Sequence, residues 1–173
     1  VVLNICISTF LAVLIKSLRK KGARSFFRGW MFLPAVVPIV AVCYVWLIMF
    51  DPANGVLNQA LMALGMDHPI NWLNDPRTAL FSIVLVTLWC DLGYNLVILM
   101  SGLDNIPNMF LEAAEIDGAN SIQKFFKITL PLMSRNMLFV VIMTCISYFQ
   151  VFAQVQIMTQ GGPENHTNVI GLN

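Results

Sequence analysis

Three stretches of this chain run for the length of a membrane with almost no charge. Residues 30–50 hold none, 79–101 hold Asp91 alone, and 137–158 hold none. A helix rises about 1.5 Å per residue and the hydrocarbon core is about 30 Å thick, so roughly 20 apolar residues are needed to cross it. Spanning strands would alternate in polarity and be about half as long. A fourth run, 1–15, is shorter. It opens on Val1 rather than Met, and the chain stops at Asn173 soon after a polar turn. Both ends therefore read as interior points of a longer protein, with terminal helices missing. Hydrophobic residues make up 58% and charged residues 11%, against about 25% charged in a soluble domain. The expected fold class is all-α: a polytopic transmembrane helical bundle, with 1–173 as a single incomplete domain.

Charge in the connecting segments sets an orientation. Segment 16–29 carries Lys16, Arg19, Lys20, Lys21, Arg24 and Arg28 and no acid. Loop 51–78 has Arg77 as its one base, 102–136 has Lys124, Lys127 and Arg135, and nothing basic follows Met158. Basic loops stay in the cytoplasm, so 16–29 and 102–136 face inward while 51–78 and 159–173 face outward. A net charge of +1 gives no sign of a nucleic-acid partner. The cysteines Cys6, Cys43, Cys90 and Cys145 lie in apolar runs at spacings that fit neither zinc nor a disulfide framework, and read as small buried apolar residues. No metal site is expected. Pro34 and Pro38 mark the second run, as a hinge or as a fixed bend near its start. In the outer loop, Leu57, Leu61 and Leu64 recur at helical spacing, predicting a short interfacial helix with Trp72 at headgroup depth. His68 and His166 lack the neighbours of a metal site or a triad. Asn165-His166-Thr167 matches a glycosylation acceptor, a pattern common by chance.

The stretch Glu112 to Pro131 is too polar to cross and too patterned to be a connector. Pro107 suits a helix start and Gly118 a helix stop. Between them Met109, Ala113 and Ile116 fall on one face and Asn108, Glu112 and Glu115 on another. Ser121 is the expected cap of a second helix, with Ile122, Phe125, Phe126 and Thr129 on one side and Gln123, Lys124 and Lys127 opposite. Pro131 prevents a simple continuation into the next span. The result is a cytoplasmic helical hairpin within loop 102–136.

Glu112, Ala113, Ala114, Gly118, Ile128, Leu130 and Pro131 stand at the spacing of the EAA loop, and the segment resembles that loop of ABC importer permeases. Gly102-Leu103 with Ile106-Pro107 resembles the family's approach to the loop. Gly55, Asn58, Leu61 and Trp72-Leu73, with Thr159 to Pro163 and then Thr167, are similar to the carbohydrate-uptake subgroup, the maltose-type permeases. The resemblance implies a multi-pass subunit of the bacterial inner membrane. The hairpin would dock on a cytoplasmic ATPase, with Glu112 as polar anchor, Ala113 and Ala114 as close-packed surface and Gly118 as turn. Its partners would be a second permease, two ATP-binding cassette subunits and an external solute-binding protein. ATP would be bound by the cassette subunits, and this chain would hold no cofactor and catalyse nothing. The sequence contains no GxxxxGK[ST] phosphate loop and no nucleophile–base arrangement.

Asp91 stands near the middle of its run, where a carboxylate costs roughly 2.5–3.5 kcal/mol on insertion scales. Thr87, Asp91 and Tyr94 share a helical face, as do Thr144, Tyr148 and Val151, with Ser147, Gln150 and Gln154 widening the polar side. Hydroxyls, amides, a carboxylate and aromatic rings suit a sugar. The resemblance to maltose-type permeases implies a substrate path at Thr87, Cys90, Asp91, Tyr94, Thr144, Tyr148 and Val151. Here Asp91 replaces a small glycine, and Cys90 and Val151 replace polar residues, so the solute differs. The alternative is that Asp91 pairs with a polar group on a neighbouring permease helix. Other expectations for the cargo are glycerol-phosphate or another polar organic solute. An ion-coupled carrier using Asp91 is a different class, against which the hairpin argues. A non-transporting assembly subunit is another.

Overall fold

The computed structural model describes residues 1–18, 20–163 and 167. Among them there are helices and turns and no strand. Their contacts divide the chain into two compact units, where one domain is expected from the sequence: Val1–Leu33 with Asp91–Ile146, and Pro34–Cys90 with the chain from Ser147 onward.

The first unit begins with α1, Val2–Ser17. The basic segment after it is not a loop for most of its length, because α2 starts at Lys21 and runs to Val36. Lysine and arginine are good helix formers, so Lys21, Arg24 and Arg28 ride on α2. Arg24 donates from Nη2 to the Lys16 carbonyl at 2.7 Å. The long helix α5, Ala79–Asp104, passes through both units. In the first unit its Leu96, Leu99, Met100 and Leu103 form a core with Ala12 and Ile15 of α1, and with Met133 and Val140. Gly93 lets α5 approach α2 closely: a Cβ there would lie 2.0 Å from the Met31 carbonyl oxygen. Small residues at crossings are how helices in lipid bring backbones together.

The second unit contains α3, Ile39–Met49, and α4, Val56–Ala63. The apolar run 30–50, expected as one span, is therefore two helices. Helix α2 ends at Val36, Pro38 is extended at φ −54° and ψ 131°, and α3 begins after it. Proline disfavours the helical conformation in the residue before it, and the break falls at Val37, directly before Pro38. The short helix expected in this loop forms where Leu57 and Leu61 place it, with Leu64 just past its end as the C-cap. Asn58 staples it to the following loop, donating to the Ile70 carbonyl at 2.9 Å while its Oδ1 accepts from Ile70 N and Trp72 Nε1. Trp89, Trp46, Phe50 and Trp72 form a run of ring contacts, the first pair edge-on and the other two tilted, with ring centres 5.1 to 5.6 Å apart.

The last apolar run is also interrupted. Helix α9 covers Ser134–Phe149, and α10, Ala153–Met158, follows after a three-residue irregular stretch and packs on α3. Of the cysteines, Cys43 is buried as expected, but Cys6 is exposed. By length and apolar content α5 and the run Ser134–Met158 can each cross a membrane, and α2 with α3 qualifies as one broken span. Arg19, His166 and the first two residues of Asn165-His166-Thr167 lie outside the described residues.

Candidate functional site

The hairpin forms as two arms. Helix α6, Asn108–Ile116, begins directly after Pro107. It stops at Gly118, whose φ of +77° suits a residue without Cβ. Ala119 N donates to the Ala114 carbonyl at 2.9 Å and Gly118 N to the Glu115 carbonyl at 3.0 Å. These two bonds are the Schellman pattern, which satisfies the last carbonyls of the helix.

The second arm starts with α7, Ser121–Lys124. Its cap is Asn120, not Ser121. Asn120 Oδ1 accepts from Gln123 N at 2.8 Å, and Asn120 N donates to Gln123 Oε1 at 2.9 Å. Both residues suit the cap position, and the glutamine three residues on selects Asn120 through this reciprocal box. A π-helical turn, Phe125–Thr129, follows, and then α8, Leu130–Leu132. The helical path thus continues past Pro131, though not simply. Leu130 N reaches back five residues to the Phe125 carbonyl, and this widened turn stands where the proline ring would clash with the preceding turn.

Lys124 Nζ meets Glu115 Oε1 at 2.6 Å and bridges the arms. Glu115 is 64% exposed, so this pair contributes little to stability, about 0–1 kcal/mol. Of the two alanines, Ala113 is exposed while Ala114 is buried against its own chain. Ala114 is therefore not part of an outward surface, because the helix turns it 100° from its neighbour. Glu112 is exposed. So are Met109 at 66%, Ile116 at 87% and Ile122 at 69%. Ile128 and Leu130 are half-buried and Pro131 exposed.

The polar residues of the spans are distributed differently from the expectation. Thr87 is buried, and its hydroxyl is bonded to the Ile83 carbonyl of its own helix at 2.9 Å. Thr144 is buried, and its Oγ1 accepts from Asn95 Nδ2 at 2.9 Å. Asn95 also donates to Asn4 Oδ1 at 3.0 Å, which Ser8 Oγ reaches at 3.0 Å. This buried network joins α1, α5 and α9. Sequence reasoning on Asp91 passes over Asn4, Ser8 and Asn95, and the available signal was polar residues four apart inside apolar runs. Tyr94 is exposed, while Cys90, Asp91 and Tyr148 are half-buried. Val151 lies beyond the end of α9, so it does not continue the face of Thr144 and Tyr148. Neither unit holds the whole set: Asp91, Tyr94 and Thr144 belong to the first, Thr87, Cys90, Tyr148 and Val151 to the second. Thr159, at the end of α10, and Thr167 meet hydroxyl to hydroxyl at 2.8 Å, and Thr167 donates to the Gly162 carbonyl at 2.6 Å. That clasp holds the turn in which Gln160 and Gly161 take positive φ.

Residues 4–171 match the family model described as the binding-protein-dependent transport system inner membrane component, and the chain belongs to that family. It is 36% identical over 173 residues to the probable ABC transporter permease protein YesP of Bacillus subtilis (strain 168), covering 98% of this chain and 55% of that protein. It is 35% identical over 159 residues to the trehalose/maltose transport system permease protein MalF of Thermococcus litoralis, covering 92% and 53%. It is 33% identical over 169 residues to the sn-glycerol-3-phosphate transport system permease protein UgpA of Escherichia coli, covering 96% and 56%. The chain thus spans about half the length of these relatives. Its fold is similar to that of a crystallised bacterial ABC transporter involved in import of the acidic polysaccharide alginate. The TM-score is 0.79 at 22% identity, over 95% of this chain and 58% of that one.

Proposed function

We propose that this chain is the membrane-spanning part of a bacterial ABC importer permease, passing a sugar or related polyol delivered by an external solute-binding protein. The observation that carries this reading is the hairpin. Outside the apolar spans, Met109, Ile116 and Ile122 stand exposed in a segment that also carries Glu112, Asp117 and Lys124. Fully burying each such side chain is worth about 1.5–3 kcal/mol, so a protein surface is their natural cover. The partner is a cytoplasmic ATPase subunit. Glu112 is the polar anchor, Ala113 the close-packed contact, and Gly118 with Ile128, Leu130 and Pro131 shape the arms. Two such ATPases bind the ATP, a second permease completes the pore, and segments 16–29 and 102–136 face the cytoplasm. ATP then moves the equilibrium between inward-open and outward-open states by the difference in its affinity for them.

In the spans, Asp91, Tyr94, Cys90 and Tyr148 are the candidates for solute contact, with Val151 at the helix break. Thr87 and Thr144 belong to the same proposed path and are buried, each with its hydroxyl hydrogen-bonded. The relative named for sn-glycerol-3-phosphate supports a second reading, a small phosphorylated polyol. Family membership speaks against the ion-coupled carrier. Uptake of labelled maltose, trehalose and sn-glycerol 3-phosphate, in cells expressing the full transporter, tests all of this. Uptake should vanish without the cognate ATPase and fall at least about tenfold in Glu112→Ala, with the protein still in the membrane. Uptake that survives loss of the ATPase sinks the proposal.

A further inference from the structure

Lys16 takes part in closing two helix ends at once. It stands in the last turn of α1. Its own carbonyl accepts from Arg24 Nη2 at 2.7 Å, and the same nitrogen reaches the Leu18 carbonyl at 3.4 Å. Its ammonium crosses to α5 and donates to the Leu103 carbonyl. The last carbonyls of a helix have no partner within it, and a cation there also answers the helix dipole. Arg24 thus closes α1, and Lys16 closes α5 one residue before its end at Asp104. Read as sequence, both residues only add positive charge to 16–29.

The bond falls where α5 hands over to the first hairpin arm. Three residues, 105–107, separate Asp104 from the start of α6 at Asn108. The Leu103 carbonyl also accepts from Ile106 N at 3.3 Å, so one oxygen serves both the Lys16 bond and the turn into the arm. Leu103 and Ile106 are buried and Lys16 is half-buried, and a hydrogen bond shielded from water is stronger. Beside it, Ala12 and Ile15 of α1 pack on Leu96, Leu99 and Leu103 of α5. Apolar packing is non-directional, so it lets two helices slide. A charge-assisted bond to one carbonyl fixes their register.

We propose that Lys16 is a positioning residue for coupling: it braces the root of the first hairpin arm against α1, so that the hairpin moves about a fixed point. Lys16 acts through the Leu103 carbonyl and needs no contact with solute or nucleotide. The inference deepens the ATPase docking proposed above and rests on it. Without the ammonium, the Leu103 carbonyl keeps the Ile106 N–H. The end of α5 therefore stays satisfied at rest and gives way only when the hairpin is driven.

The test is hydrogen exchange on the full transporter, permeases and cognate ATPases together in lipid nanodiscs, with and without a non-hydrolysable ATP analogue. In the native protein the analogue should alter exchange in the hairpin and leave the last turn of α5 unchanged. In Lys16→Met the analogue should loosen that turn at least about fivefold, the lower end of ordinary coupling between sites. Lys16→Gln, whose nitrogen stops one bond short, is the second variant and should do the same. Lys20→Met, which removes a neighbouring exposed charge, should behave as the native protein. A turn that loosens equally with and without the analogue shows a merely structural role and overturns the proposal. So does a turn that does not loosen, one that already responds in the native protein, or the same response in Lys20→Met. If neither Lys16 variant assembles, Lys16 serves folding and the proposal falls. A native hairpin indifferent to the analogue would instead overturn the docking reading itself.

Discussion

Asn95 and Asn58 are both buried carboxamides, and on the proposed membrane placement they answer to different solvents. Asn95 joins Asn4 and Thr144 between apolar helices. Asn58 holds two carbonyls, a backbone N–H and the Trp72 indole in the loop 51–78. Polar contacts between helices in lipid average about 0.6 kcal/mol, because the dissociated helices find other partners. In watery surroundings, stranding buried groups costs about 1–3 kcal/mol each. Asn95→Leu should therefore cost about 1 kcal/mol and Asn58→Leu about 2–3 kcal/mol, as read from detergent unfolding. Equal losses would contradict the assignment of the two residues to different media. In sequence, Asp91 draws the eye because it is charged, while Asn4, Ser8 and Asn95 pass as ordinary polar interruptions. Only three-dimensional proximity shows that they meet.

Among the elements, glycine punctuation was the most readable signal. Gly118 ends α6 as its position predicts, and Gly118→Ala, forced to keep φ near +77°, should cost about 1–2 kcal/mol. Gly93 gives no such notice. Its Cβ would overlap the Met31 carbonyl, so Gly93→Ala should cost a further amount in the overpacking range, about 1–3 kcal/mol. Thermal unfolding of the two variants checks both, and a neutral Gly93→Ala would show that α2 yields without cost. Pro38 announced a bend and the chain breaks there. The interruption between Phe149 and Ala153 contains neither glycine nor proline, so it is imposed by packing rather than local preference. Asn120 displaced Ser121 as a cap for a reason visible in the sequence, the glutamine at position 123.

For the molecule as a whole, the distribution of lysine and arginine predicts sidedness. In a background without the native cysteines, Ala113→Cys should react with an impermeant maleimide only after the cytoplasmic face is opened, and Asn54→Cys from outside. Both positions are exposed, and labelling from the same side would refute the topology. Hydropathy picked out segments apolar enough to cross a membrane, but not the division of the chain into two compact units. Lipid and protein neighbours are equally apolar, so no stripe on a helix says which face packs. The candidate solute contacts were legible as residue types and not as an arrangement, because Thr87 and Thr144 spend their hydroxyls elsewhere. The widened turn before Pro131 has a mechanical consequence. It carries the second hairpin arm into α9 with no more than a loosened residue at Met133, whereas the first arm meets α5 through the short extended joint at Pro107. The hairpin thus runs on into a helix at one end and is jointed at the other. If it carries a load, as proposed, force applied at Ile122 should pass into α9 and force applied at Met109 should be taken up at the joint.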